Sequence, residues 1–135
     1  MSESRRLFFA LWPSPEQQQR WQLLAQQLHG GKTSLVDVSN IHLTLLFLGG
    51  VKLDLCDCLV EMGANIQGQR FRLCLDSVGY WRKPQVGWWG PSFSPPALLE
   101  LVESLRQGAK QCGLEPDSRP YKPHITLVRK LKQLP

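Results

Sequence analysis

The sequence predicts an α+β domain, and three observations lead there. Short apolar runs and amphipathic stretches succeed one another in the order strand, helix, strand, helix, hairpin, helix, strand. The hairpin in the middle is antiparallel, which favours α+β over a doubly wound sheet. No glycine-rich phosphate loop, Walker motif or dinucleotide fingerprint occurs anywhere in the chain.

Each element has a local reason. Leu7 to Leu11 is short, apolar and aromatic, as a buried strand is. Ser14 caps the first helix, Pro15 takes its first position, and Gln17 completes a capping box. Trp21, Leu24, Ala25 and Leu28 then repeat at helical spacing, and Gly30 supplies a left-handed stop. Ile41 to Leu48 is a second apolar run, closed by Gly49-Gly50. Leu55, Cys58, Leu59, Met62 and Ile66 trace one face of a second helix. Phe71, Leu73 and Leu75 alternate with Arg72, Cys74 and Asp76, the pattern of a half-buried strand. Lys83-Pro84 is a turn, and Val86 to Trp89 the return strand. Ser94, Pro95 and Pro96 open a third helix. Its buried stripe is Leu98, Leu101, Val102, Leu105, Ala109 and Cys112, and Gly113 ends it. Prolines hold 120–123 extended, and His124 to Val128 is the last strand.

The chain has 135 residues, 42% hydrophobic and 20% charged. That supports one domain, residues 1–135, with enough buried surface to need no staple. The aromatic content excludes a disordered chain. No apolar run reaches the length of a membrane helix, and the N-terminus lacks a signal-peptide pattern. A cytoplasmic protein with no membrane partner is expected. Cys56, Cys58, Cys74 and Cys112 form no C-x-x-C pair, so buried reduced thiols are the expectation. The net charge is +5. Residues 119–135 carry Arg119, Lys122, Arg129, Lys130 and Lys132 and no acid. A basic end of this kind suits a polyanion, although a solvated tail has the same composition.

The chemistry lies in a duplication. Two of the three histidines stand two residues before two of the three threonines. The motifs are His42-Leu43-Thr44-Leu45 and His124-Ile125-Thr126-Leu127. Shuffling the composition would produce this roughly once in a thousand trials. Residues i and i+2 of a strand share a face, so each motif sets an imidazole beside a hydroxyl. Leu43, Leu45 and Phe47, like Ile125 and Leu127, point the other way and anchor the strands to a core. Two imidazoles suit acid–base work near neutral pH, one neutral and one charged. Hydroxyls can donate to oxygens that gain charge in a transition state. Together they describe in-line attack on a phosphodiester without a metal. A lone histidine on an apolar strand is otherwise a satisfied core residue. As metal ligands two histidines are a thin set, with no acid or cysteine at short fixed spacing. His29 has no threonine partner and sits where a helix C-terminus favours its charge, which makes it structural.

At these residues the sequence resembles the 2H phosphoesterases, whose signature is two H-x-T-L motifs, one in each half. Arg6-Leu7-Phe8-Phe9-Ala10-Leu11, Asn40 to Gly49 and Arg119 to Arg129 are similar to the bacterial 2′-5′ RNA ligase-like (LigT-like) branch, and the likeness covers the whole chain in order. The resemblance implies two pseudo-symmetric lobes of antiparallel sheet and helices around a central cleft, one H-x-T strand per lobe. It implies metal-independent hydrolysis of RNA 2′,3′-cyclic phosphate ends to 2′-phosphomonoesters, with no cofactor. RNA ends or nucleoside cyclic phosphates are the implied partners of a monomer. His42 would be the proton donor and His124 the proton acceptor. Thr44 and Thr126 would bind the phosphate, and the family often has a basic residue at the position of Arg129. A regular strand would point Arg129 away from the two histidines, which it could reach only at a strand end or bulge. Trp81, Trp88, Trp89 and Tyr121 could stack on bases or pack in the core. Family members also join RNA ends through 2′-5′ linkages, which is the enzyme alternative. They generally continue for a few strands past the second motif, where this chain stops at Pro135. A non-catalytic RNA-binding module is the alternative if that shortness abolishes activity.

Overall fold

The computed structural model describes residues 3–27 and 34–130. Leu28, His29, Gly30 and Lys132, singled out above, lie outside them. Packing divides the chain into two units. The first comprises Met1–Ala10, Thr44–Leu73 and Ser94–Lys122, and the second Leu11–Leu43, Cys74–Phe93 and Pro123–Pro135.

In the first unit β1 (Ser4–Leu11) pairs with β3 (Leu43–Lys52). Helix α2 (Leu53–Asn65) packs on α3 (Pro96–Gln111). Leu45, Leu46, Val51, Leu59, Leu98, Val102, Leu105 and Ala109 form the core, each at most 5% exposed. Full burial of a leucine is worth about 1.5–3 kcal/mol, so these residues hold the helices in place. Gly113, at φ +96°, ends α3 as expected, because only a residue without Cβ adopts that conformation cheaply.

The second unit holds α1 (Pro15–Gln26), β2 (Ser34–Leu35), a 3₁₀ turn (Val38–Asn40), β4 (Ser77–Trp81), β5 (Val86–Gly90) and β6 (Ile125–Arg129). Here β6 is central. Ile125 pairs with both Leu43 and Trp89, and Val128 with both Leu35 and Gly87, all antiparallel. One edge of β6 therefore takes β5 and the other takes the start of β3 and then β2. Strand β4 closes the hairpin on β5, Val78 opposite Trp89 and Trp81 opposite Val86. Ile41, Ile125, Leu127 and Val128 are at most 1% exposed.

Several expectations are corrected. Residues 71–76 form no strand. Their exposure alternates as the pattern requires, but alternation fixes faces and not a ladder partner, and the hairpin begins at Ser77. Gly49-Gly50 does not close β3, which runs on to Lys52 with Gly49 at φ +73°. Phe47 is 49% exposed while Leu45 and Leu46 are both buried, so period two breaks there and Phe47 is not a core anchor. Ser14 caps α1, accepting from the Gln17 amide at 3.2 Å. The third helix opens at Pro96, with Pro95 at its capping position, as expected. Cys58 and Cys112 are joined as a disulfide between α2 and α3, with Cα atoms 5.9 Å apart. They stand 54 residues apart in sequence, so no local spacing announces the pair. Cys74 is exposed rather than buried, and the cysteine argument for a reducing compartment falls. No helix of the described residues is long and apolar enough to cross a membrane.

Gly79 of β4 lies beneath the Trp88 indole, and a Cβ there would overlap three atoms of that ring. A rigid indole cannot yield as a flexible side chain would. Gly79→Ala is therefore expected to destabilise the protein by about 1–3 kcal/mol, read as a lowered midpoint in urea denaturation. An unchanged midpoint would show that the ring has room to move.

Candidate active site

Neither motif histidine lies inside a strand. His42 follows the 3₁₀ turn and precedes Leu43, the first residue of β3; His124 follows Pro123 and precedes Ile125, the first of β6. Each is half-buried, His42 between two buried apolar neighbours and His124 between the partly exposed Pro123 and the buried Ile125. On the His42 side, Ile41 is 0% exposed and Leu43 4%. The alternation read from sequence is real at both places: Leu43 and Ile125 are buried, while His42, Thr44, His124 and Thr126 are partly accessible.

The two motifs meet at their centres. Leu43 and Ile125 are direct antiparallel partners. One step back along β3 and one step forward along β6 bring His42 alongside Thr126. His124 lies two residues before Thr126 on the same face. Both histidines belong to the second unit. Of β3, Leu43 belongs to the second unit and Thr44 onward to the first, while β6 lies wholly in the second. Each unit thus receives the body of one motif strand.

Several contacts fix the His42 ring. Nδ1 lies 2.6 Å from the Asn40 carbonyl. A carbonyl only accepts, so Nδ1 carries the hydrogen in this contact. The Trp12 indole stacks on the imidazole, centroids 4.7 Å apart and planes within 2°. Behind it, Gln18 of α1 is 5% exposed. Its amide Nε2 donates to the carbonyls of Ser39 at 3.2 Å and Ile41 at 3.0 Å. The 3₁₀ turn is capped by Asp37, which accepts from the Ser39 amide and hydroxyl at 2.9 and 2.7 Å. These bonds hold its carboxyl below the usual range, so the cap is present above ordinary aspartate titration and is lost as pH falls through the lowered value.

His124 is set by aromatic edges. Trp81 meets it at 4.5 Å and 75°, Trp88 at 6.5 Å and 68°, and the two indoles lie 5.1 Å apart. Trp88 is also the ladder partner of Thr126. Trp89 donates its indole N–H to the Leu75 carbonyl at 2.6 Å. Tyr121, in the first unit, donates its hydroxyl to the Thr44 carbonyl at 2.7 Å. Burial pushes that phenol well above its ordinary range, so it stays a neutral donor.

Arg129 ends β6 and is exposed. The register of β5 on β6 shifts between Gly87 and Trp88, and Leu127 and Val128 are both buried, so the alternation that would turn Arg129 away from the histidines breaks just before it. Among the described residues no group of three or more His, Cys, Asp or Glu is placed to hold a metal ion. Trp12 and Gln18 are the site residues that sequence reasoning missed. Trp12 carried a signal, a tryptophan beside Pro13 in a strand-to-helix turn; Gln18, one glutamine among many in α1, carried none.

Paired H-x-T motifs on antiparallel strands are the signature of the 2H phosphoesterases. The chain belongs to the 2′-5′ RNA ligase superfamily, whose model matches residues 12–135. It is 36% identical over 132 residues to the RNA 2′,3′-cyclic phosphodiesterase of Escherichia coli K12, spanning 96% of this chain and 74% of that protein. The crystal structure of E. coli LigT complexed with 3′-AMP matches with a TM-score of 0.88 at 32% identity, covering 97% of this chain and 76% of the other. TT0787 of Thermus thermophilus matches with a TM-score of 0.81 at 26% identity, covering 97% and 79%. The fold is α+β and LigT-like.

Proposed function

We propose that this chain hydrolyses RNA 2′,3′-cyclic phosphate ends to 2′-phosphomonoesters with no metal or other cofactor. His42 serves as proton donor and His124 as proton acceptor. The observation that carries the reading is the pairing of Leu43 with Ile125, which sets both motifs on one strand pair. His124 takes a proton from water as the water oxygen forms its bond to phosphorus. The bond from phosphorus to O3′ breaks, and Nε2 of His42 gives its proton to that oxygen. The phosphate remains on O2′, and proton transfer through solvent restores the pair. Thr44 and Thr126 hold the non-bridging oxygens as they gain charge; the bulge in β6 before Arg129 supports a phosphate-binding role for that residue as well. The family name favours a second reading, in which a 5′-hydroxyl takes the place of water and a 2′-5′ linkage results. We assign the chain as a monomer acting on RNA ends or nucleoside cyclic phosphates, and the RNA substrate supports a cytoplasmic location.

The test is incubation of the purified chain with a nucleoside 2′,3′-cyclic phosphate in EDTA, followed by phosphorus NMR. A 2′-phosphate product is expected. No turnover, a 3′-phosphate product or abolition by EDTA would each refute the proposal.

On this reading Trp12 is a positioning residue. The Asn40 carbonyl fixes where Nδ1 points and the indole fixes the plane of the ring, so together they aim Nε2. Trp12→Ala is expected to lower kcat roughly tenfold, within the range a misaimed proton donor costs, with KM little changed. Trp12→Phe, which retains a stacking face, should restore most of the rate. Equal loss in both variants would make the role one of bulk alone.

A further inference from the structure

The two units differ in charge. The second holds seven Lys and Arg against three Asp and Glu, and so carries +4 of the chain's +5. All three of its acids are engaged, Glu16 by Arg20, Asp37 by Ser39 and Asp76 by Ser92. Asp76 sits at the end of the β4–β5 hairpin remote from its turn.

The turn itself, residues 82–85, begins with Arg82 and Lys83, both exposed. They directly follow Trp81, whose ring touches His124. The register brings two more cations to the same end of the sheet. Trp81 pairs with Val86 and Gly87 with Val128. Arg129, the last residue of β6 and the partner of Ser34, and Lys130 after it, both exposed, therefore lie at the end of the sheet from which the turn projects. None of these four has a carboxylate partner among the described residues. Arg119, the first cation of the basic segment read from sequence, is by contrast bound to Asp117 through two nitrogens at 2.7 and 2.5 Å.

We propose that the Arg82–Lys83 turn, with Lys130 beside it, docks the backbone phosphates of an RNA strand whose cyclic end lies at the two histidines. The preferred substrate class is then an oligonucleotide end and not a free cyclic mononucleotide. The proposal rests on the catalytic reading of His42 and His124. Unpartnered exposed cations suit this task, since each contact with a single strand releases counterions and adds about 0.7 to the slope of log affinity against log salt. They lie next to the residue that borders His124, which favours RNA over a membrane as the anion.

The test compares an RNA octamer ending in a 2′,3′-cyclic phosphate with cytidine 2′,3′-cyclic phosphate, across a range of KCl. The proteins are the wild type, R82Q/K83Q and R82E/K83E. The neutral variant should lose at least about tenfold more kcat/KM on the octamer than on the mononucleotide, and charge reversal more still. Losing two contacts should flatten the octamer's salt slope by roughly 1.4. Equal losses on the two substrates, or an unaltered slope, overturn the proposal. So does a neutral variant that loses binding to phosphatidylserine vesicles while its octamer kinetics stay at wild-type values. A wild-type protein that cleaves neither substrate, yet binds the octamer through Arg82 and Lys83, refutes the catalytic reading and leaves the docking surface standing.

Discussion

His42→Ala and His124→Ala are each expected to lower kcat/KM for a nucleoside 2′,3′-cyclic phosphate by at least about a hundredfold, the typical cost of removing a general acid or base. The two losses should not multiply in the double variant, because a single surviving partner already lacks half of the proton circuit. Thr44→Ala and Thr126→Ala should cost less, since each removes one hydrogen bond among several to the phosphate. The Thr126 variant has a structural control: Trp88 faces it in the ladder, so an unchanged near-ultraviolet spectrum would show that the aromatic border of His124 survived. Near-full hydrolysis in either histidine variant would remove that residue from the chemistry.

Rate against pH should follow a bell. One imidazole must be charged and the other neutral, so only the singly protonated pair turns over. The rate should fall about tenfold per pH unit beyond each limb, with the maximum near neutrality. The limbs belong to the pair and not to one ring each. Because the Asn40 carbonyl engages Nδ1 of His42, the transferred proton is the one on Nε2, and methylation of that nitrogen should abolish turnover. A profile flat from pH 5 to 9 would dispose of the two-histidine mechanism.

What could be read from sequence was what a few neighbouring residues decide. Period-two alternation assigned Leu43 and Ile125 to the core and His42, Thr44, His124 and Thr126 to the accessible face, and the exposures agree. The stripe of α3 was legible for the same reason, since one buried helix face repeats every three or four residues. Contacts made at long range were not legible. Alternation over 71–76 could not say that those residues lack a ladder partner. The spacing of Cys58 and Cys112 gave no sign that they face each other across α2 and α3. Nor does any local rule connect Trp12 with His42, or single out Gln18 from its neighbours. Charge counting had the same limit. It found the basic run after residue 119, yet Arg119 is engaged by Asp117, while Arg82 and Lys83 drew no notice as part of a turn.

Gln18 makes one amide serve two main-chain carbonyls, those of Ser39 and Ile41. That arrangement inverts the usual ranking of conservative replacements. Glutamate matches the side chain in size and shape, but would turn an oxygen toward both carbonyls, where it can donate only if it takes up a proton. Leucine matches the burial and would leave the two carbonyls without that donor. Asparagine keeps the chemistry and falls one methylene short. Tolerance at this helix position is therefore set by the donor at the tip and not by volume or hydrophobicity. A survey of all substitutions at Gln18 should find its loss of turnover sorted by hydrogen-bonding capacity, in a helix that holds neither histidine.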